Sequence, residues 1–507
     1  MDRCSLCPTD TNGQPCSRIV SCSGPSGRCD FLFLGAGPDK TEIRTGVPYS
    51  GLAGEEFNTL YLPLANLRRD QVAVSNATLC WDGTARIPSA KRLAACASHH
   101  LPELLDRFRP LVVVLMGGAV QTLCDKRIRL DLHHGIPQYT TLLNGSWQGW
   151  VWPSYEPALG MRDTRMMTQI MDDFRRLGDW LSGDWQPPSQ PDYATDYAIA
   201  HTASDVECYI RCAIDAPRGH DGRWTPGCDT ERHGGEVWSL QWSVRPHTGR
   251  LIRAGNKEAV EAFNHYLAQY RPEMSWHNAP QDLDAAERMR IDLSLARGHR
   301  DTMQEAFQLC TLPQGLKALV YRLFGVEMRS WEDTVWPASI AAMTAWLERG
   351  IEIEAQRPGV ELTELTMGKC IVCGKRNKRA VCSVCGSTVN FVKREEFPNN
   401  VESILRHILR YAIGTGTGEK EKPYNPWKKL PEMMTEGLRG KVARPADWER
   451  LKEEAGEMPV LGIGNCDLEE AVQYAAGDAD WELQLAGKLS ELRKGKRWEV
   501  DIQDYDE

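Results

Sequence analysis

The sequence predicts an α/β protein of two or three domains, because its 507 residues combine strand patterns with helix patterns. Short continuous apolar runs bounded by turn residues are typical of buried parallel strands. At 237–244, Trp, Leu and Val alternate with Ser and Gln, which predicts a strand with one buried face. At 472–486, apolar residues recur at intervals of four and three, which predicts a helix with one buried face.

The composition is that of a globular protein and gives no sign of a membrane segment. Hydrophobic residues make up 42% of the chain and charged residues 25%. No apolar run approaches the roughly 20 residues of a membrane span, and the first residues do not form a signal peptide. We therefore expect a cytoplasmic protein without membrane contact. With a net charge of -9, any nucleic-acid binding must come from local patches or metal ions. The 17 cysteines are then expected to be metal ligands and buried thiols rather than disulfides.

Three apolar runs in the first 185 residues predict neighbouring strands of a sheet, at 31–34, 72–74 and 111–115. Each run leads into a loop rich in Gly, Pro, Ser or Asn. Parallel sheets bind ligands beyond the carboxyl ends of their strands, which makes these loops a candidate site. The alternative is that the glycines and prolines only form tight turns.

A longer motif, GAGPDKTEIRTGVPYSGLAG, follows the first predicted strand at 35–54, and the region also has an early CxxC, an Asn after the second strand and two later cysteines. In this order these features give a resemblance to a family 4 uracil-DNA glycosylase. It implies a three-layer fold for residues 1–185 and a [4Fe-4S] cluster, since thiolates suit such clusters. The implied ligands are Cys4, Cys7, Cys80 and Cys96. The alternative is four unrelated buried thiols, with Cys16, Cys22 and Cys29 as possible substitutes.

The sequence departs from this family at its catalytic positions. Ala36 stands where the family has an acidic residue, and Glu156 stands where it has a histidine. The resemblance makes Tyr49 the aromatic residue that stacks on a flipped base, and Asn76 the residue that reads the uracil edge. Excision requires stabilisation of a departing uracil anion, which a carboxylate opposes. We therefore expect an inactive or weakly active glycosylase-like domain that still binds DNA, uracil or a protein partner.

A Pro-rich linker is predicted at 186–192, and the candidate site residues that follow it carry acidic side chains. Asp229 and Glu231 are one residue apart, and on a strand they point to the same side. Such a pair can face solvent, bind a hard divalent metal or share a proton. Two further patterns follow in order, N-x3-D from Asn278 to Asp282 and Y-x3-D from Tyr474.

Tyr474 and Asp478 are four residues apart and share one face of the predicted C-terminal helix. The full order of motifs resembles the tyrosine subclass of DEDD 3′–5′ exonucleases, most closely the proofreading domain of family A DNA polymerases. The resemblance implies a ribonuclease H-like domain over 193–335 and 460–498. It implies two Mg²⁺ or Mn²⁺ ions, with Tyr474 orienting the attacking water and Asn278 contacting the substrate. Its implied catalytic residues are Asp229, Glu231, Asp282, Tyr474 and Asp478.

By the same resemblance, Asp229, Glu231 and Asp478 would hold one ion, and Asp229 and Asp282 the second. The N-x3-D motif and the Y-x3-D motif are separated by an insertion, which we place at 336–459. It contains a CxxC-x8-CxxC pattern with the spacing of a zinc ribbon or knuckle. The predicted zinc ligands are Cys370, Cys373, Cys382 and Cys385. The alternative is four free thiols. An acidic tail at 499–507 is expected to be solvated.

These features together predict a metal-dependent 3′–5′ DNA exonuclease that acts on single-stranded 3′ ends at a primer-template. No fingers-helix pattern of a polymerase follows the last motif. The order of domains resembles the front half of certain phage polymerases, so we expect a separate DNA polymerase subunit in a bacterial or phage-infected cell. The alternatives are an active uracil-DNA glycosylase/exonuclease repair enzyme, a free-standing degradative nuclease, and a non-catalytic replisome assembly module.

Overall fold

The computed structural model describes most of the chain as two α/β units. The described residues are 18–81, 88–189, 194–214, 225–309, 311–355, 368–370, 376–377, 391–392, 453–457, 459–460 and 462–495. Cys4 and Cys7 lie outside these ranges, as do Cys373, Cys382 and Cys385. Among the described helices, none combines the length and the apolar character that a membrane crossing requires.

The first unit is built on a five-stranded sheet in which one edge strand is antiparallel and all other pairs are parallel. The strand order is β2-β1-β3-β5-β4, and β4 is the antiparallel edge. All three predicted strands are present, as β1, β2 and β3. The strands are β1 (Phe31–Gly35), β2 (Ala73–Asn76), β3 (Val112–Met116), β4 (Gln138–Leu142) and β5 (Trp147–Ser154).

Helices cover both faces of this sheet because its central strands are apolar on both sides. Leu32 and Leu34 face one helix layer, whereas Phe33 between them faces the other. Burial of each such side chain stabilises the fold by roughly 1.5–3 kcal/mol. A π-helical turn (Phe57–Tyr61) follows α2. The helices are α1 (Lys40–Thr45), α2 (Leu52–Glu56), α3 (Leu62–Leu64), α4 (Ala90–Phe108), α5 (Gly118–Leu123), α6 (Leu130–His133), α7 (Pro157–Gly160) and α8 (Thr164–Ser182).

The second unit has a mixed six-stranded sheet with the order β11-β10-β7-β8-β9-β6. Strands β7, β8 and β9 form an antiparallel meander, while β10 lies parallel to both β7 and β11. The predicted alternating strand is β8. The strands are β6 (Asp196–Ile199), β7 (Gly227–His233), β8 (Glu236–Ser243), β9 (Thr248–Arg253), β10 (Glu273–Trp276) and β11 (Gly298–Asp301).

Helices also cover both faces of the second sheet. One layer holds α9 and α10, and the long C-terminal helix α15 crosses β7, β8 and β9 on the other face. A Cβ atom at Gly227 would collide with the backbone of Ala479 and Leu483, so only glycine lets α15 lie directly on β7. The helices are α9 (Ala203–Ile214), α10 (Lys257–Tyr270), α11 (Ala279–Arg288), α12 (Thr302–Gln308), α13 (Leu316–Phe324), α14 (Trp331–Ala355) and α15 (Leu468–Gly495).

Helix α14 runs without interruption through the boundary that the sequence predicts between 335 and 336. It is held beyond that point because Ser339 accepts from Gly462 and the Trp346 indole donates to the Gly456 carbonyl, 2.8 Å away. Farther on, β12 (Gly368–Cys370), β13 (Arg376–Asn377) and β14 (Phe391–Val392) form a small antiparallel sheet. Cys370 ends β12, and the other three predicted zinc ligands lie outside the described residues.

Candidate metal centre and the first-unit pocket

Three of the predicted acidic residues meet where α15 crosses β7. Asp229 and Glu231 are two positions apart on β7, so their side chains point to the same side of the sheet. Asp478 lies on α15. One carboxylate oxygen of each lies within 4.8 Å of the others. The pairing of β7 with β8 shifts register just after Glu231, so an irregularity in the ladder follows this acid, while the strand continues to His233. Residues from distant parts of the sequence thus form one cluster of oxygen donors, because close packing of α15 on Gly227 brings them together.

Asp282 is attached to this cluster through the residue between the two strand acids. The backbone N–H and the hydroxyl of Thr230 donate to Asp282 Oδ1 at 3.1 and 2.6 Å. Burial raises the pKa of Asp282 to about 6, while these Thr230 hydrogen bonds act in the opposite direction. The structure therefore groups all four predicted carboxylates. It also shows Thr230 to be a supporting residue, which the sequence motif alone did not identify.

The carboxylates of the cluster repel one another, and the ammonium of Lys317 offsets this repulsion only in part. Burial, and then repulsion by Asp282, Glu231 and Asp478, raises the pKa of Asp229 well above its ordinary range. Burial and the neighbouring Asp478 do the same for Glu231. Asp229 Oδ2 is buried and has no hydrogen-bond partner. An unpartnered buried carboxylate oxygen within a group of hard oxygen donors fits a divalent cation such as Mg²⁺ or Mn²⁺.

Tyr474 lies beside Asp478, and both contact Lys317 of α13. The Lys317 ammonium donates to the Tyr474 hydroxyl at 3.3 Å and lies 4.4 Å from the centre of its ring. It is 3.7 Å from Asp478 Oδ2. The prediction that Tyr474 and Asp478 share a helix face is therefore confirmed. Lys317 was missed as a site residue, because only the three-dimensional fold brings it to the acidic cluster.

Asn278 begins the helix that carries Asp282, and Asp301 fixes its backbone. Asn278 has the left-handed backbone angle φ of 69°, and its N–H donates to Asp301 Oδ1 at 3.1 Å. Oδ2 of the same carboxylate accepts from Ala279 N at 3.1 Å. Asp301 also caps α12 by accepting from Met303 N at 3.0 Å. One side chain thus holds the starts of two helices, a role that the sequence shows only as an Asp-Thr helix start.

The first unit brings its own predicted residues together at the carboxyl ends of β1, β2 and β5. Ala36 N–H donates to Glu156 Oε1 at 2.7 Å, and the Tyr49 hydroxyl donates to Glu156 Oε2 at 3.3 Å. A Cβ atom at Gly35 would lie 2.5 Å from the Tyr49 hydroxyl and 2.6 Å from Asn76 Oδ1. Asn76 is 2% exposed, and its Nδ2 has no hydrogen-bond partner. Tyr49 and Asn76, the two predicted base-contacting residues, are therefore neighbours. Glu156 accepts hydrogen bonds from Tyr49 itself and from the backbone N–H of Ala36.

Glu156 is partly buried, and this burial raises its pKa to about 7. The Ala36 and Tyr49 hydrogen bonds oppose that rise. A second acid, Glu42, accepts from the backbone N–H groups of Tyr49 and Asp39. It thereby holds Tyr49, whose φ of 56° is left-handed. Glu42 lies inside the motif at 35–54, but its supporting role becomes visible only in the structure.

Two of the four predicted cluster cysteines are described. Cys80 is buried after β2, and the Arg92 guanidinium donates to its carbonyl at 2.8 Å and to its Sγ at 3.4 Å. Cys96 is partly exposed on α4 beside His100. A thiol next to a guanidinium suits a thiolate ligand. By contrast, Cys29 precedes β1 and donates to the Phe31 carbonyl at the amino end of the sheet, so it is not placed to substitute for Cys80.

The first unit is similar to known proteins of one superfamily. Residues 23–175 match the family model of the uracil DNA glycosylase superfamily. A type-4 uracil-DNA glycosylase of Saccharolobus solfataricus is 23% identical over 163 residues, which is 31% of this chain and 73% of that protein. One from Thermotoga maritima is 27% identical over 187 residues, which is 35% of this chain and 90% of that protein. The chain thus carries an N-terminal uracil DNA glycosylase superfamily domain.

Proposed function

We propose that this protein is a metal-dependent 3′–5′ DNA exonuclease that proofreads for a DNA polymerase on a separate chain. The observation that supports this most directly is the meeting of Asp229, Glu231 and Asp478 within 4.8 Å, with one buried oxygen that has no partner. Asp282 and Tyr474 adjoin the same cluster. The mixed sheet with helices on both faces further supports a ribonuclease H-like unit.

In this proposal each residue of the site has its own role. Asp229, Glu231 and Asp478 would hold one ion, and Asp229 with Asp282 would hold the second. Two such ions supply an activated water and stabilise charge on the leaving oxygen. Tyr474 orients the water, and Lys317 fixes the direction of the Tyr474 hydroxyl. Thr230 keeps Asp282 facing the strand. DNA is the substrate that the superfamily of the first unit supports.

The first unit is proposed to bind DNA or a protein partner without releasing uracil. Its carboxylate at Glu156 already accepts from Ala36 N–H and the Tyr49 hydroxyl. Those donors are then unavailable to a developing uracil anion, and an ionised Glu156 would repel it. The retained Asn76 and the conservatively changed aromatic Tyr49, together with the type-4 relatives, favour the second candidate, an active repair enzyme. Uracil release by the full chain from uracil-containing DNA separates the two, and rapid release would support the repair enzyme.

Two further metal groups belong to the proposal. Cys4, Cys7, Cys80 and Cys96 would hold a [4Fe-4S] cluster, and Cys370, Cys373, Cys382 and Cys385 would hold zinc. Iron, sulfide and zinc analysis of the purified chain tests both. One zinc that is lost in a Cys370→Ser/Cys373→Ser variant is the expected result for the second site.

The nuclease assignment is tested with a single-stranded DNA labelled at either end in the presence of Mg²⁺. The 3′ label should be released first, while the 5′ label stays on a shortening strand. Asp229→Ala combined with Glu231→Ala should remove at least about 99% of this activity, because the ligand set is lost. Asp284→Ala is the matched control, since Asp284 is an exposed acid two residues from Asp282. Equal activity of the double variant and the wild type would reject the assignment.

The partner is tested separately. Purification of the tagged chain from its natural host should recover a polymerase chain, and mismatched 3′ ends should then be removed faster than matched ends. Nuclease activity without any polymerase association would instead support a degradative nuclease.

A further inference from the structure

Helix α13 belongs to the packing of both units. Near its start, Lys317 reaches Tyr474 and Asp478 of the carboxylate cluster. Five residues later, Arg322 is 2% exposed and lies against the first unit. Between them, Leu319 packs against Leu485 of α15. One nine-residue helix therefore connects the candidate nuclease site with the glycosylase-like unit.

Arg322 is held by a buried set of groups from the first unit. Its Nη1 donates to Asp172 Oδ2 at 3.3 Å, and its Nη2 donates to Asp173 Oδ1 at 3.2 Å. Nη2 also donates to the carbonyl of His134 at 2.6 Å. Asp172 and Asp173 lie on α8, and His134 follows α6. The planar guanidinium fixes direction as well as distance, because its donors diverge in one plane.

Loss of the contacts that Arg322 makes should be strongly unfavourable. Asp173 is fully buried, so loss of Arg322 would leave a buried carboxylate whose remaining side-chain hydrogen-bond partners, among the residues that the structure describes, are His134 and Ser154. Breaking one member of a buried ion pair is strongly unfavourable. The adjacent Tyr321 adds a contact, since Gln138 of β4 donates to its hydroxyl at 2.9 Å. The position of α13 is thus determined by the first unit as well as by α15.

We propose that Arg322 is a positioning residue of the nuclease site, and that the first unit thereby acts as a structural part of the nuclease. By holding α13, Arg322 sets the Lys317 ammonium against Tyr474 and Asp478. This inference rests on the proposed exonuclease function, and it adds a role for the glycosylase-like unit that requires no base excision.

The test uses the full chain and three variants: Arg322→Met, Lys317→Met and the double variant. Arg322→Met should lower kcat for 3′-nucleotide removal at least tenfold and change KM less than threefold. The double variant should lose little more than Lys317→Met alone, because both substitutions act through Lys317. The matched control is Arg127→Met, which removes the exposed pair of Arg127 with Asp333. This pair also bridges the units, yet exposed pairs contribute little, so activity should stay within twofold.

A second measurement follows Lys317 without relying on catalysis. Acetylation of Lys317 by a small acylating reagent, quantified by mass spectrometry, should become at least threefold faster in Arg322→Met and stay unchanged in Arg127→Met. If Arg322→Met does not fold, Tyr321→Phe replaces it, since it removes only the hydroxyl that accepts from Gln138. A smaller loss in the same direction is expected there.

The outcomes separate this inference from the proposed function. A wild-type chain without nuclease activity rejects the proposed function, and the acetylation rate still decides whether Arg322 places Lys317. An active wild type with an equally active, folded Arg322→Met variant overturns the inference alone. The inference is also overturned if the losses in kcat of the two single variants multiply in the double variant. An unchanged rate of Lys317 acetylation in Arg322→Met would overturn it as well.

Discussion

Two aspartates of the second unit have buried carboxylate oxygens, and they differ in whether hydrogen bonds satisfy these oxygens. Asp229 Oδ2 has no hydrogen-bond partner and faces three other carboxylates. Asp480 is also buried, but it accepts from the Tyr197 hydroxyl at 2.7 Å and from His247 N at 2.9 Å. A buried polar group costs free energy unless it is hydrogen-bonded. Asp480 is therefore satisfied by the fold itself, whereas Asp229 is left with the unpartnered oxygen on which the proposed metal site depends.

Asp229→Asn should therefore stabilise the protein in EDTA, because it removes a charge from a repulsive buried cluster. A gain of about 1 kcal/mol corresponds to a rise of roughly 1–2 °C in Tm for a cooperative unit of this size. Millimolar Mn²⁺ should raise the Tm of the wild type but not of this variant, since only the intact cluster binds the ion. The control, Asp480→Asn, should lower Tm in EDTA. A lower Tm of Asp229→Asn in EDTA would contradict this reading of the cluster.

Glu156 gives a pH dependence of stability in the first unit. Burial raises the pKa of this carboxyl from 4.5 to about 7, so the folded state holds the proton more tightly than the unfolded chain. The free energy of unfolding therefore falls as pH rises from about 4.5 to 7, and the loss persists above pH 7. Its size is on the order of 3 kcal/mol at most.

Glu156→Gln should remove this loss, because the amide keeps the acceptor for Ala36 N–H but cannot ionise. The variant should be more stable than the wild type at pH 8 and similar to it at pH 5, as measured by denaturant unfolding. As a control, Glu103→Gln on α4 should leave the pH profile unchanged. If the free energies of unfolding of Glu156→Gln and the wild type differ by the same amount at pH 5 and pH 8, ionisation of Glu156 is not the cause of the pH dependence.

At the scale of elements, the start of α11 depends on one side chain, Asp301. Asp301 accepts from Asn278 N and Ala279 N at this start and from Met303 N at the start of α12. A helix cap contributes about 0.5–2 kcal/mol, and Asp301 serves two helices. Because α11 carries Asp282, a shift of its first turn reaches the carboxylate cluster.

Asp301→Ala should lower the free energy of unfolding by roughly 2 kcal/mol and nuclease activity at least tenfold. Its matched control is Asp163→Ala, which removes the cap of α8, where Asp163 accepts from Arg165 N at 2.9 Å. That variant should lose stability and keep its activity per folded molecule. If both variants lose activity in proportion to stability alone, Asp301 has only a structural role.

Sequence patterns predicted the elements whose signal is local. The strands at 31–35, 73–76 and 112–116 and the helix at 468–495 follow from apolar runs and periodicity. The DxE, N-x3-D and Y-x3-D motifs predicted which acids would meet, but not what surrounds them. Lys317 and Arg322 lie on an ordinary amphipathic helix, and their roles come from contacts with residues more than 100 positions away. No local pattern encodes such contacts, which is why they were missed.

At the scale of the whole molecule, the two units are joined by a polar interface. Arg322 and Tyr321 of the second unit contact α8, β4 and the segment after α6 in the first. Buried charges matched this closely specify one arrangement, whereas an apolar patch would tolerate sliding. We therefore expect the units to unfold together, since unfolding of either unit alone would break the ion pairs and hydrogen bonds that Arg322 makes with the first unit.

Calorimetry of the wild-type chain should accordingly show one dominant unfolding transition for the two units. Arg322→Met combined with Tyr321→Phe should split it into two, because the interface then loses its buried ion pairs and the hydrogen bond from Gln138. Arg127→Ala combined with Asp333→Ala removes only the exposed bridge and should preserve the single transition. Two separate transitions in the wild type would mean that α13 is held by its own unit alone. Lys317 would then take its position without help from the first unit.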